Sequence, residues 1–162
     1  MALEIERRFL VEKNLLPDLS KYRSTNISQG YLTTPDSNCV VRIRRTRDEG
    51  FVTIKTQISQ GVNNEFEYQI PYEDASSLLL SSVNYVITKD RYYIPCGNKI
   101  IELDWYKDRL DGIVIAEIEL TSLDERIQLP AFISKEITYV KGLSNYSMSI
   151  NTSAALEIYA GL

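Results

Sequence analysis

The chain has 162 residues, 44% of them hydrophobic, which is enough for one domain with a substantial core and short for two. Its 22 acids and 18 bases leave a net charge of −4, so general attraction to nucleic acid or anionic lipid is not expected, and an anionic partner would need a local basic cluster. Histidine is absent, which removes histidine triads, histidine general bases and nearly all His/Cys zinc sites.

The chain opens on a strand in which Leu3, Ile5, Phe9 and Val11 alternate with Glu4, Glu6 and Arg8, giving one apolar and one charged face. Pro17 and Asp18 mark a turn or the start of a short helical segment ending near Tyr22. Residues 26–34 are rich in β-formers, with Gly30 allowing a bulge or a close approach, and a turn follows over 34–38. In the next strand Val41 and Ile43 oppose Arg42 and Arg44. A hairpin at 48–50 leads to a return strand in which Val52 and Ile54 oppose Thr53 and Lys55. A turn at 61–64 precedes a strand with Glu65, Glu67 and Gln69 on one side and Phe66, Tyr68 and Ile70 on the other.

Residues 73–80 form a short helix with acids in its first turn, where the helix dipole favours them, and it covers the apolar side of the sheet. Lys89, Arg91 and Tyr93 alternate along the following strand, and Glu102 and Asp104 oppose Ile101, Leu103 and Trp105 in the next. Glu117 and Glu119 then oppose Ala116, Ile118 and Leu120. Residues 122–127 read as a helical turn, 130–140 as irregular, and 146–159 as one helix with a Ser or Asn cap. Most tyrosines, Tyr68 among them, and Trp105 are expected to pack on apolar faces. Cys39 and Cys96 fit two reduced thiols. With neither a long apolar run nor a basic leader, the expectation is a cytoplasmic protein without a membrane partner.

Like charges at alternate positions of one strand repel, so their repetition needs a reason. Two architectures hold the pattern. An open antiparallel sheet would turn its charged face to water, where the charges are nearly inert. About eight strands closed into a barrel would instead turn the charges into a tunnel and the apolar residues outward beneath a few helices. Burying so many ions without partners costs several kcal/mol each, so such a tunnel must stay wet or hold counter-ions. Arginine forks and lysines suit a compact polyanion, and carboxylates without His or Cys suit a hard divalent cation. A phosphate chain satisfies both sets. No glycine-rich phosphate loop is present.

With these residues in view the chain resembles the CYTH superfamily, the triphosphate tunnel metalloenzymes. The resemblance runs through EIERRFLV at 4–11, QGYL at 29–32, VRIR at 41–44, TIK at 53–55, EFE at 65–67, KDRY at 89–92, ELD at 102–104, AEIE at 116–119, and TYVK at 138–141 with Asn145. It implies a single CYTH-like domain over 1–162, α+β but mainly β, built as an eight-stranded antiparallel tunnel with a charged lumen and helices outside. It implies divalent-metal-dependent hydrolysis of a small-molecule triphosphate, first of all inorganic tripolyphosphate. The alternatives are adenylate cyclase, nucleoside or thiamine triphosphatase activity, and non-catalytic polyphosphate or nucleotide binding.

By the same resemblance, Glu4, Glu6, Glu117 and Glu119 would hold Mg²⁺ or Mn²⁺. Glu65, Glu67, Glu102 and Asp104 would position a second metal or the attacking water. Arg8, Arg42, Arg44, Lys55, Lys89 and Arg91 would grip phosphate oxygens, Lys89 serving catalysis as well, and Lys141 would reach in from the C-terminal segment. Apolar patches outside the barrel leave room for a homodimer. Two positions depart from the family pattern: Arg8 stands where the signature has lysine, and Leu143 where a tyrosine is usual. An arginine keeps the charge but stays protonated and does not shuttle a proton.

Overall fold

The computed structural model describes residues 2–59 and 62–162. The turn expected at 61–64 lies partly outside these, and Val62 onward is already strand. The described strands are β1 (Ala2–Val11), β2 (Ser24–Tyr31), β3 (Val40–Arg45), β4 (Gly50–Ser59), β5 (Val62–Ile70), β6 (Ile87–Cys96), β7 (Lys99–Tyr106), β8 (Val114–Glu119) and β9 (Ile133–Glu136). The helices are α1 (Tyr72–Leu79), α2 (Asn145–Ile150) and α3 (Thr152–Ala160). Hydrogen bonding runs β5-β4-β3-β2-β6-β7-β8-β1, and β5 pairs back onto β1, so eight antiparallel strands close into a ring. The closing seam is short, pairing Ala2–Ile5 of β1 with Val62–Glu65 of β5.

β1 is long enough to serve three partners. β5 takes Ala2–Ile5, β8 takes Glu6–Leu10, and β9 takes Phe9 and Val11. β9 arises in the stretch read as irregular. Its few residues carry no alternation strong enough to announce a strand, and β1 supplies the template.

The alternation of β1, β7 and β8 turns apolar side chains outward. Phe9, Ile101, Leu103, Ala116 and Ile118 are buried together, with Leu16, Leu19, Tyr22, Ile127 and Leu129 packed over them. On the β3–β4 side, Ile43 is buried with Ala75 and Leu79 of α1. Gly30 in β2 permits this approach, because a Cβ there would meet Ser82 Oγ at 2.0 Å and Leu79 Cδ2 at 3.2 Å. The inward face is not charged throughout. Toward one end of the ring the inward positions continue as Leu10, Ile87, Tyr106 and Ile115, an apolar plug on which Leu143, Met148 and Ala155 pack.

The C-terminal segment is two helices rather than one. Asn151 is extended at φ −143° and its side chain accepts a hydrogen bond from Ala154 N at 2.9 Å, capping α3. The helical turn expected at 122–127 reduces to one hydrogen-bonded turn, Glu125 N to Ser122 O. Tyr68 does not pack; it is 58% exposed on the outer face of β5. No described helix is long and apolar enough to cross a membrane.

Candidate active site

Strand register stacks the inward side chains into layers. Arg8 lies opposite Glu117, which lies opposite Glu102, and Arg91 lies opposite Asp104. Across the ring, Thr53 faces both Arg42 and Glu67, and Lys55 faces Glu65. Arg8, Arg91 and Lys55 thus each find a carboxylate on the next strand, while Glu117 faces Glu102 and Glu6 faces Glu119 with like charge. The open-sheet architecture is excluded by this closure, because these groups share one interior.

The interior contains a cavity of about 610 Å³ lined by Glu4, Glu6, Arg42, Arg44, Lys55, Glu65, Glu67, Arg91, Glu102, Glu117 and Glu119. A second cavity of about 550 Å³ shares Glu6, Arg42, Lys55 and Asn145 with the first and adds Arg8, Tyr31, Tyr146 and Lys141. Lys141 is exposed at the edge of this second cavity. Lys89 and Asp104 line neither cavity; they are 1% and 0% exposed, set into the wall behind Arg91. Their placement differs from the direct substrate and water contacts expected of them, because the Arg91 guanidinium stands in front and satisfies Asp104 itself.

The ion pairs are dense. Lys55 Nζ lies 2.7 Å from Glu4 Oε2 and 3.3 Å from Glu65 Oε2. Arg42 and Arg44 both reach Glu67, at 3.5 and 3.2 Å. Arg91 donates to both oxygens of Asp104, at 2.6 and 2.7 Å, to Glu117 at 3.1 Å, and to Glu102. Lys89 Nζ lies 2.5 Å from Asp104 Oδ2. Arg8 spans two elements: Nε donates to Glu117 Oε1 at 3.1 Å and Nη1 to the Leu143 carbonyl at 2.7 Å. The two departures from the family pattern therefore meet, and a lysine lacks the fork for both contacts.

Electrostatics divides the carboxylates. Burial pushes Glu117 up, but Arg91, Arg8 and Lys89 outweigh it and hold its carboxyl well below the ordinary range. At Glu6 the pull of Lys55 and Arg8 is too weak to do the same. Burial, then the Glu117 and Glu4 charges, raise it to about 8. Burial also raises Glu102 against the pull of Arg91, and lowers Lys89 to about 8 against the pull of Asp104.

Between its ordinary 4.5 and about 8, the folded chain holds a proton at Glu6 that the unfolded chain has released. Stability therefore falls as pH rises through that window. In chelator, Glu6→Gln should raise the melting temperature just above pH 8 and change it little near pH 4.5. An equal effect at both pH values in thermal unfolding would contradict the assignment.

Three side chains without an expected role also matter. Asn145 Oδ1 accepts from Tyr106 Oη at 2.6 Å and Lys89 Nζ at 3.2 Å, tying α2 to the wall. Thr53 Oγ1 donates to Glu67 Oε2 at 2.7 Å. Arg23 lines the larger cavity with its guanidinium 3.8 Å from the centre of the Tyr93 ring. Thr53 shares the inward parity of Lys55 and was findable by that count, whereas Arg23 precedes β2 and no periodicity marks it.

Among the described residues no three carboxylates stand ready as a metal cluster. Two of the expected ligands are held by cations: Glu4 by Lys55, Glu117 by Arg8 and Arg91. Glu6 and Glu119 make no ion pair among the described residues. The donor set is entirely oxygen, and half-buried Glu6, which lines both cavities, has too little positive charge beside it, which a divalent ion would bring.

A family model described as the CYTH domain matches residues 2–149. An inorganic triphosphatase of Acetivibrio thermocellus is 34% identical over 143 residues, covering 85% of this chain and 87% of that protein. An inorganic triphosphatase of Nitrosomonas europaea is 30% identical over 152 residues, covering 91% and 97%. A crystal structure of an inorganic triphosphatase superposes with a TM-score of 0.68 at 28% identity, covering 93% of this chain and 97% of that one.

Proposed function

The chain belongs to the CYTH domain family, and from that premise we propose that it hydrolyses inorganic tripolyphosphate to pyrophosphate and phosphate with a divalent metal ion, Mg²⁺ or Mn²⁺. The observation that carries this reading is the cavity in which Arg42, Arg44, Lys55 and Arg91 face Glu4, Glu6, Glu117 and Glu119. Its two signs match a phosphate chain and the cation that accompanies it.

In this reading the arginines and Lys55 bind the phosphate oxygens, with Arg8 and Lys141 acting from the second cavity. Buried donors remain unspent for the purpose: Arg8 Nη2, Arg42 Nε and Arg44 Nε have no partner among the described residues. Glu4, Glu6, Glu117 and Glu119 would hold the metal, which supplies neutralisation of phosphate charge and polarisation of the scissile bond. Glu65 and Glu102 orient the attacking water. Water oxygen bonds to a terminal phosphorus, the P–O bond to the bridging oxygen breaks, and pyrophosphate departs with that oxygen. Glu102 lines the cavity with its side chain 40% exposed and its carboxyl raised above the ordinary value, which suits it to accept the water's proton. Arg8 keeps its proton and works through charge and geometry, while Lys89 and Asp104 hold Arg91 in place from behind.

Product analysis tests the reaction. Tripolyphosphate incubated with the protein and Mg²⁺ or Mn²⁺ should yield equal amounts of phosphate and pyrophosphate. ATP under the same conditions should give no cyclic AMP. Cyclic AMP with pyrophosphate as the main products would replace the hydrolase reading with a cyclase.

A further inference from the structure

The cradle formed by Arg42, Arg44 and Thr53 is already filled. Arg42 and Arg44 sit two apart on β3 with their guanidinium groups on the same inner face, and the geometry makes them neighbours of like charge. Burial and then Arg42 draw the Arg44 guanidinium below its ordinary value, against the pull of Glu67. Into this site comes one carboxylate. Glu67 Oε2 lies 3.5 Å from Arg42 Nη2 and 2.7 Å from Thr53 Oγ1, and Arg44 Nη2 donates to Oε1 at 3.2 Å.

The fit is incomplete in an informative way. Glu67 offers two oxygens, and Arg42 Nε and Arg44 Nε remain buried without a partner among the described residues. A tetrahedral phosphoryl group brings more acceptor oxygens than a carboxylate and would engage donors that Glu67 leaves idle. The exposures also differ in a useful sense. The Arg42 and Arg44 side chains are 14% and 19% exposed, while Glu67 is 30% exposed, so a displaced carboxylate has water to move into and the arginines do not.

We infer that Glu67 is a built-in stand-in for a phosphoryl group, occupying the Arg42–Arg44–Thr53 subsite until a phosphate displaces it. This rests on the reading of the cavity as a phosphate-chain site and adds to it an internal competitor. Glu67 is then not one of the water-orienting carboxylates. It keeps the two guanidiniums apart and aligned in the ligand-free chain, and it weakens every anion that binds there. The cost of displacing it falls equally on phosphate and on a longer chain. A longer chain, held also at Lys55 and Arg91, has the additional contacts to meet that cost at lower concentration than phosphate does.

Calorimetric titration of tripolyphosphate and of inorganic phosphate in chelator tests the inference without turnover. Glu67→Gln, which keeps the shape and removes the charge, should bind both about tenfold tighter than the parent, by a similar factor for each. Glu67→Ala should move in the same direction, whereas Thr53→Val, which removes a donor that serves either anion, should change tripolyphosphate binding much less. Folded Glu67 variants that bind no tighter than the parent would overturn the inference, and so would a parent chain with no affinity for tripolyphosphate. If the variants bind tighter but no chain hydrolyses tripolyphosphate with metal, the hydrolase reading fails and the internal competitor stands. If the parent hydrolyses it and the variants bind no tighter, the inference alone fails.

Discussion

Exchange of Glu119 for glutamine, or of Glu4, should lower metal-dependent tripolyphosphate hydrolysis at least about a hundredfold while leaving the fold intact. The reason lies in β1 and β8. Their register sets Glu6 opposite Glu119 and brings the carboxylates of both strands to one wall of the larger cavity. Glu119 makes no ion pair among the described residues, so the exchange strands no buried cation and removes only negative charge. Glutamine retains the volume but is a poor partner for a divalent ion. The melting temperature should therefore stay level or rise slightly as repulsion within the acidic wall falls. Glu117→Gln makes the informative contrast: Arg8 and Arg91 both rely on that carboxylate, so activity and stability should fall together. Phosphate release and thermal unfolding, measured on the same preparations, separate these outcomes. Full activity in both Glu4→Gln and Glu119→Gln would remove the metal wall from the account.

Asp104→Ala should be the most damaging single change to stability, costing about 3–5 kcal/mol. Asp104 is 0% exposed and receives both Arg91 and Lys89. Its removal leaves Lys89, itself 1% exposed, with only the Asn145 amide oxygen at 3.2 Å as a hydrogen-bond partner among the described residues, and frees Arg91 from the contact that aims it. A buried cation without its anion is far more costly than the intact pair is stabilising. For a chain of this size the loss corresponds to roughly 10 °C or more in melting temperature. Denaturant unfolding checks it, and a change of less than about 1 kcal/mol would show that the pair is not the keystone of this wall. Because Arg91 also faces the cavity, the same variant should bind tripolyphosphate more weakly wherever it remains folded.

Much of this was legible from parity. Period-two alternation assigned Glu4, Glu6, Arg42, Lys55, Glu117 and Glu119 to one face each, and a closed ring is the arrangement that brings those faces together. What parity lacks is depth along the bore. Lys89 and Arg91 have the same parity, yet one is sealed into the wall and the other reaches the cavity. Depth depends on strand stagger and on the plug of Ile87, Tyr106, Ile115 and Met148, both set by tertiary packing. Partner choice was equally hidden: that Glu67 belongs to Arg42, Arg44 and Thr53 follows from β3–β4–β5 register. β9 escaped notice because its pairing is supplied by β1, and the break at Asn151 because a good cap interrupts an otherwise helical run.

The central claim is that ionised side chains from separate strands serve one polyanion and its metal inside the ring. A crystal structure grown with tripolyphosphate and Mn²⁺ tests it most directly, through the anomalous signal of the metal. A Mn²⁺ peak should appear on the wall carrying Glu4, Glu6, Glu117 and Glu119, with phosphates reaching Arg42 and Lys55. Ordered tripolyphosphate and Mn²⁺ bound only outside the ring would contradict it.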